Sequence, residues 1–304
     1  MKIPKINIIY DTSKETEMFL KYLNDPDRLQ YKKMIFREYP KLEIAINKAQ
    51  AKISESQRKI VKNYLEEFQK ENKEKIAAII KNAQNILSVQ SESLLNELAK
   101  LMDYKWTDNE PNFTAIPTAL PFCPFEKNTF YFSIKGYLTG KRNIDCIIFT
   151  ATHEISHFLL FRILWRNKID IEEFTRQMLQ EILVPVLMNQ SRLTRIIGHN
   201  PNDYFGNNNI SLLYVKTDKN NTERITVAFK SAYDTMRQKR VNFVDIILLY
   251  IETLTEIKGD LNKKMDFWNE NGHKISKDKE LFQIYTEPIG IKKSRKELFF
   301  PAVQ

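Results

Sequence analysis

The sequence predicts an α+β protein dominated by helix. Three observations lead there. Glycine is scarce, 7 residues in 304, which argues against turn-rich all-β architectures and glycine-rich phosphate loops. From about Lys41 to Met102 apolar residues recur at helical spacing: Ile60, Val61, Tyr64, Leu65 and Phe68, then Ile76, Ile79, Ile80, Ala83, Ile86 and Leu87. One segment, "NTFYFSIKGYL" from Asn128 to Leu138, has the β-branched and aromatic content of a strand and a glycine that closes it.

The elements follow in order. Residues 1–35 are mixed and weakly periodic. The long helical stretch is too irregular for a strict heptad seam, so packed helices are expected rather than an extended coiled coil. The polar "QKENKEK" at 69–75 reads as a hairpin turn or a solvated length of helix. "DNEPNFTAIPTALPFCPFEK" at 108–127 carries prolines at 111, 117, 121 and 124 and reads as a linker or wrapping loop. It sets the expected boundary between an N-terminal helical domain, 1–107, and a second domain, 108–273. A basic tail, 274–304, follows. Within the second domain Ile144 to Arg166 predicts a buried helix, and Asp170 to Gln190 another whose start suits acidic residues. "GHNPNDYFGNNN" at 198–209 is a loop, "ISLLYVK" and "ERITVAF" are short strands, and 241–270 is helical.

Composition narrows function. The net charge is +9, yet 47 basic and 38 acidic residues are mixed along the chain. The densest basic run, "GIKKSRKEL" at 290–298, is short, so a nucleic-acid partner is not expected. Two cysteines, Cys123 and Cys146, are too few for a disulfide framework and fit a reducing compartment. The N-terminus lacks the apolar core of a signal peptide, and the late run "IILLYI" is too short to span a bilayer. The expectation is a soluble, cytoplasmic protein.

Of only four histidines, two stand four residues apart in "THEISHFLL", with a glutamate directly after the first. On a helix, His153 and His157 project from one face a turn apart and can take two corners of a tetrahedral zinc site. Glu154 is rotated about 100° from His153 and can reach a water in the open position rather than complete the tetrahedron. Zinc lowers the pKa of such a water to about 7, and a nearby carboxylate can accept its proton and pass it to a leaving amine. This chain's own His and Glu frequencies give such a match by chance in about one of a few hundred sequences of this length.

With this H-E-x-x-H spacing the chain resembles the zincin metallopeptidases. The metzincin extension is excluded, since Leu160 and Ile163 stand where a glycine and a third histidine belong. The gluzincin branch takes its third ligand from a glutamate on a following helix, here Glu172, Glu173 or Glu181. The first two have another reason to be there, the dipole at a helix start. Glu181 lies in the nearly continuous apolar run "MLQEILVPVLM", where an ionised carboxylate needs a strong partner such as a dication. An ion pair with Arg176 or Arg192 is the competing explanation. The resemblance implies zinc on His153, His157 and Glu181, Glu154 as general base and acid, and a peptide or protein substrate. It also implies that the strand at 128–134 offers a free edge to an extended substrate. A tyrosine or histidine stabilising the oxyanion is expected downstream, with Tyr204 first, then His199, Tyr214 and Tyr233. His273 reads as a surface residue, and Cys123 as a buried thiol rather than an inhibitory metal ligand. The N-terminal helices are left to restrict access or to recruit a protein partner. The competing functions are a non-catalytic helical scaffold holding at most a structural metal, and a nucleic-acid-associated protein.

Overall fold

The computed structural model describes residues 2–26, 29–48, 55–200, 203–216 and 221–291. It is helix-dominated, with two small sheets. The chain divides into two compact units, Met1–Glu92 with Thr107–Glu154, and Ser93–Trp106 with Ile155–Gln304. The expected boundary at 107/108 lies beside the crossing at 106/107. The other two crossings fall inside long helices.

The first unit opens with β1 (Ile6–Ile8), followed by α1 (Thr12–Asn24), α2 (Leu29–Glu38), α3 (Pro40–Lys48), α4 (Glu55–Glu71) and α5 (Lys73–Leu101). Asp11 starts α1 by accepting hydrogen bonds from the N–H groups of Ser13 and Lys14. Between α4 and α5 the polar stretch is a solvated length of helix and not a hairpin. Asn72 N–H donates to the Phe68 carbonyl and Ile76 N–H to that of Asn72, so the i−4 ladder continues through the break. Phe19, Ile35, Leu42, Val61 and Leu65 are fully buried together with Ile116 and Leu120, which packs these helices onto a sheet.

That sheet is built from β1, β2 (Phe113–Thr118), β3 (Phe125–Glu126) and β4 (Thr129–Ser133) in the order β1-β2-β4-β3. β1, β2 and β4 run parallel; the β1-to-β2 pairing needs a long crossover, and the five helices supply it. Here the structure corrects the reading of 108–127 as a loop, because its centre is a buried strand. Proline misled for a definable reason. Phe113 N–H donates to Lys5 on the β1 side and Thr114 N–H to Asn128 on the β4 side, so Pro117 faces the β1 side. The β1 register ends at Ile8 opposite Ala115, and the missing N–H costs no ladder bond. A second correction concerns β4. Its outer edge is not free: β3 pairs with it across a tight turn in which Lys127 has φ +52°, and Tyr131 N–H donates to the Pro124 carbonyl. After α6 (Lys135–Leu138), α7 (Cys146–Arg166) begins.

α7 is apolar on nearly every side, the pattern of a helix buried within a protein. Among the described residues it is the one helix long and apolar enough to cross a bilayer, and 72% of that apolar window is buried inside the fold.

The second unit carries α8 (Glu173–Met188), α9 (Ser191–Ile197), α10 (Asn208–Ser211), β5 (Tyr214–Lys216), β6 (Thr222–Arg224), α11 (Ile225–Gln238), α12 (Phe243–Glu256), α13 (Lys258–Ile275), α14 (Lys279–Thr286) and β7 (Ile289–Gly290). "ERITVAF" is strand only at its start, and Ile225 onward is helix. α8 packs against α11 and α12. Tyr250 hydroxyl donates to the Phe229 carbonyl and Tyr233 hydroxyl to that of Leu101, so both tyrosines are committed to the core. Asp103 accepts two bonds from Arg237 and one from Phe243 N–H. Burial pushes its carboxyl up, but these donors outweigh it and hold the carboxyl below its usual value. Of the expected C-terminal tail, 274–291 holds the end of α13, α14 and β7, which pairs with β5. Nearly all of the basic run at 290–298 lies outside the described residues.

Candidate metal centre

Before the arginines of its C-terminal part, α7 carries its polar side chains in a short interior stretch, 150–157. Thr150 and Thr152 turn their hydroxyls back to the carbonyls of Cys146 and Ile148 and so satisfy themselves locally. Glu154 and His157 cannot do that. They are 5% and 1% exposed, in a helix whose neighbouring positions Ala151, Ile155, Leu159 and Leu160 are fully buried. Buried polar groups of this size require partners.

The two histidines and Glu154 come together. One ligand atom from each of His153, Glu154 and His157 lies within 4.8 Å of the others. Glu154 thus stands closer to both imidazoles than the 100° rotation suggests. His157 stacks on Phe161 one turn on, at 6.5 Å between ring centres, and the Arg176 guanidinium covers the same Phe161 ring.

Glu181 on α8 approaches the same imidazole, with Oε1 3.7 Å from His157 Nε2. That is too long for a hydrogen bond. Two ligand atoms on one tetrahedral zinc, each about 2.0–2.2 Å from it, stand about 3.4 Å apart, so the pair fits a shared cation better than a direct bond. Gln180 Nε2 donates to Oε1 at 3.2 Å and Asn207 Nδ2 to Oε2 at 2.9 Å. No arginine joins them among the described residues. Arg176 is bonded to Glu173 instead. The side chain of Glu181 keeps 23% exposure, more than its apolar sequence neighbours suggest, while Ile182, Leu183 and Val184 are buried. The rival glutamates are placed apart from the histidines' chemistry: Glu172 pairs with Lys258 and Glu173 with Arg176, both at the exposed start of α8.

The remaining candidates are distributed as follows. Tyr204 is held by its backbone, its carbonyl accepting from Asn189 Nδ2 at 2.5 Å. Asn189, the C-cap of α8, is eight residues beyond Glu181, about 12 Å along the axis. The ring of Tyr204 lies edge-on to His199, 6.4 Å between centres. Burial lowers the His199 pKa, with Asp203 opposing it. His273 is exposed on the last turn of α13. Cys123 lies within electrostatic reach of Glu154. Burial of the thiol, though the residue is partly exposed, pushes it up to about 11, the Glu154 charge adds to that, and the Ser133 N–H and Arg142 pull the other way. The loop residue brought to the Glu181 carboxylate by a hydrogen bond is Asn207, which sequence reasoning passed over because a loop asparagine carries no signal of its own.

Compared with known proteins, the chain matches no family model, no curated protein and no solved structure.

Proposed function

We propose that the protein is a metal-dependent peptidase of the zincin kind, with zinc held by His153, His157 and Glu181 and a peptide or protein as substrate. The observation that carries this is the 3.7 Å approach of Glu181 Oε1 to His157 Nε2, a separation suited to two ligands of one ion and not to a hydrogen bond. The donor set of two imidazoles and a carboxylate suits zinc and leaves a fourth position open. Bound there, zinc would supply an acidified water and polarise the scissile carbonyl.

The chain's own residues do the rest. Glu154 follows His153 on α7, and its carboxylate lies within 4.8 Å of both imidazoles. Its carboxylate accepts a proton from the attacking water and returns it to the departing amine. Its buried, apolar surroundings strengthen that exchange by excluding bulk water. Because the outer edge of β4 is covered by the 124–126 segment, an extended substrate must be held by some other strand edge or by side chains.

Metal analysis of the purified protein should find about one zinc per chain. His153→Ala and His157→Ala should each lose it. Glu154→Gln should retain zinc while losing peptidase activity about 10²- to 10⁴-fold, since an amide can orient a water but cannot take its proton. Loss of zinc in Glu154→Gln would make Glu154 a ligand, leave the site without its base and favour a structural metal in a helical scaffold. A wild type that retains no metal after loading and dialysis sinks the proposal outright.

A further inference from the structure

We propose that Asn207 is the positioning residue for the Glu181 carboxylate, an inference that rests on the metal-site reading above. Glu181 and Pro185 on α8 and its C-cap Asn189 follow at four-residue intervals, hence along one face. The segment 204–207 meets all three in reverse order. Tyr204 accepts from Asn189 Nδ2 and donates its N–H to Asn189 Oδ1 at 3.5 Å. Gly206, at φ +92°, lies so close that a Cβ there would stand 3.3 Å from Pro185 Cγ and from Ile210 Cγ2. The left-handed backbone strains any other residue there, and the close approach adds to the preference for glycine. Asn207 Nδ2 then reaches Glu181 Oε2 at 2.9 Å. The first two contacts fix the segment on the helix, and the third grips the carboxylate.

Asn207 gives up something to do this. It occupies the N-cap of α10, where an asparagine side chain ordinarily accepts a bond from its own helix, and it makes no such bond. Its amide is instead spent on Oε2, while Oε1 faces His157 Nε2. The carboxylate is therefore held so as to offer one oxygen toward the imidazole. The choice of an amide matters. It orients the carboxylate without cancelling the charge a cation needs, whereas lysine or arginine would compete with the metal and aspartate would repel Glu181.

The test uses the full chain, with zinc affinity measured by chelator competition and coordination read from the visible spectrum of the cobalt(II)-substituted protein. Asn207→Ala should weaken zinc binding about 10- to 100-fold, the range for loss of a residue that supports a ligand. It should also alter the cobalt spectrum, with the melting temperature of the metal-free protein nearly unchanged. Asn207→Ser, which keeps a short donor and a good N-cap, should fall between alanine and wild type, and it serves as the reporter if alanine fails to fold. Wild-type affinity and an unchanged spectrum in both variants overturn the positioning role while leaving the metal site standing. A wild type that binds neither zinc nor cobalt overturns both.

Discussion

Glu15 in the first unit and Glu181 in the second are both glutamates facing the protein interior from a helix, and the protein treats them in opposite ways. Glu15 is 1% exposed and surrounded by three donors from two places in the chain. Oε1 accepts from Ala119 N–H at 2.5 Å and from the Thr118 hydroxyl at 3.2 Å, and Oε2 from Gln69 Nε2 at 3.2 Å. It joins α1, α4 and the end of β2, and no cation is among these partners. Glu181 has one amide donor on each oxygen and then an imidazole nitrogen beyond hydrogen-bond range. A carboxylate has about four acceptor positions. One that spends them on backbone and amide donors is a brace. One whose oxygen stands 3.7 Å from an imidazole nitrogen, beyond hydrogen-bond range, leaves room for the cation proposed above.

Removing each carboxylate should therefore separate two properties. Glu181→Ala should lower zinc affinity at least 10- to 100-fold, since a direct ligand counts for no less than its support. In the metal-free protein it should cost little stability, because no buried counter-charge is stranded. Glu15→Ala should do the reverse. It leaves the Ala119 N–H and the Thr118 hydroxyl buried without their acceptor, a loss of about 1–3 kcal/mol for the N–H alone, and zinc affinity should not change. Urea melts and chelator competition on both variants settle the matter. Equal destabilisation by the two, with zinc binding intact in both, would make Glu181 a brace too.

A smaller effect tests the same contrast within α8. Glu172→Ala and Glu173→Ala should each leave zinc affinity unchanged within about a factor of two, because they pair with the partly exposed cations Lys258 and Arg176, contacts worth about 1 kcal/mol or less apiece. A drop of tenfold in either would shift the third ligand to the start of the helix.

How much of this the sequence reveals depends on how far apart the cooperating residues lie. His153, Glu154 and His157 are legible because their spacing on a single helix fixes their relative positions without any tertiary knowledge. Glu181 is legible because a charge inside "MLQEILVPVLM" is anomalous by itself. Asn207 is not, since its partner is 26 residues away and only the packing of the 204–207 segment on α8 brings them together. Glu15 is less legible still, with Ala119 104 residues distant. The strand β2 was hidden by its own proline, whose placement is harmless only because β1 stops short of it. The expectation of a free edge at 128–134 failed for a different reason: residues 124–126 fold back onto it through the tight turn at 127–128, but the prolines at 121 and 124 give that segment the look of a loop.

The last effect concerns protons. Burial raises the Glu15 carboxyl pKa; the Ala119, Thr118 and Gln69 donors lower it, but less. The folded state thus holds this proton to higher pH than the unfolded chain, in which Glu15 starts to ionise near its ordinary 4.5. As pH rises through that value the unfolded chain releases the proton first, and stability falls until the folded carboxyl has ionised as well. A glutamine at position 15 has nothing to ionise. Its carbonyl can keep the bonds from Ala119 and Thr118. Its amide can donate to Gln69 if the Gln69 amide flips, and the Thr12 hydroxyl, which now donates to Gln69 Oε1, rotates to accept from Nε2. Near pH 4, Glu15→Gln and wild type should be nearly equal in stability. At pH 7.5 the variant should gain on wild type, by about 1.4 kcal/mol for each unit by which the folded pKa exceeds the unfolded one. Tyr10, Tyr39 and Tyr131, which sense the Glu15 charge, stay neutral across this range and cancel between the two proteins. Urea melts at the two pH values give the difference directly. Parallel behaviour at both would mean that Glu15 ionises as freely inside the fold as outside it, and its bonds would then outweigh its burial.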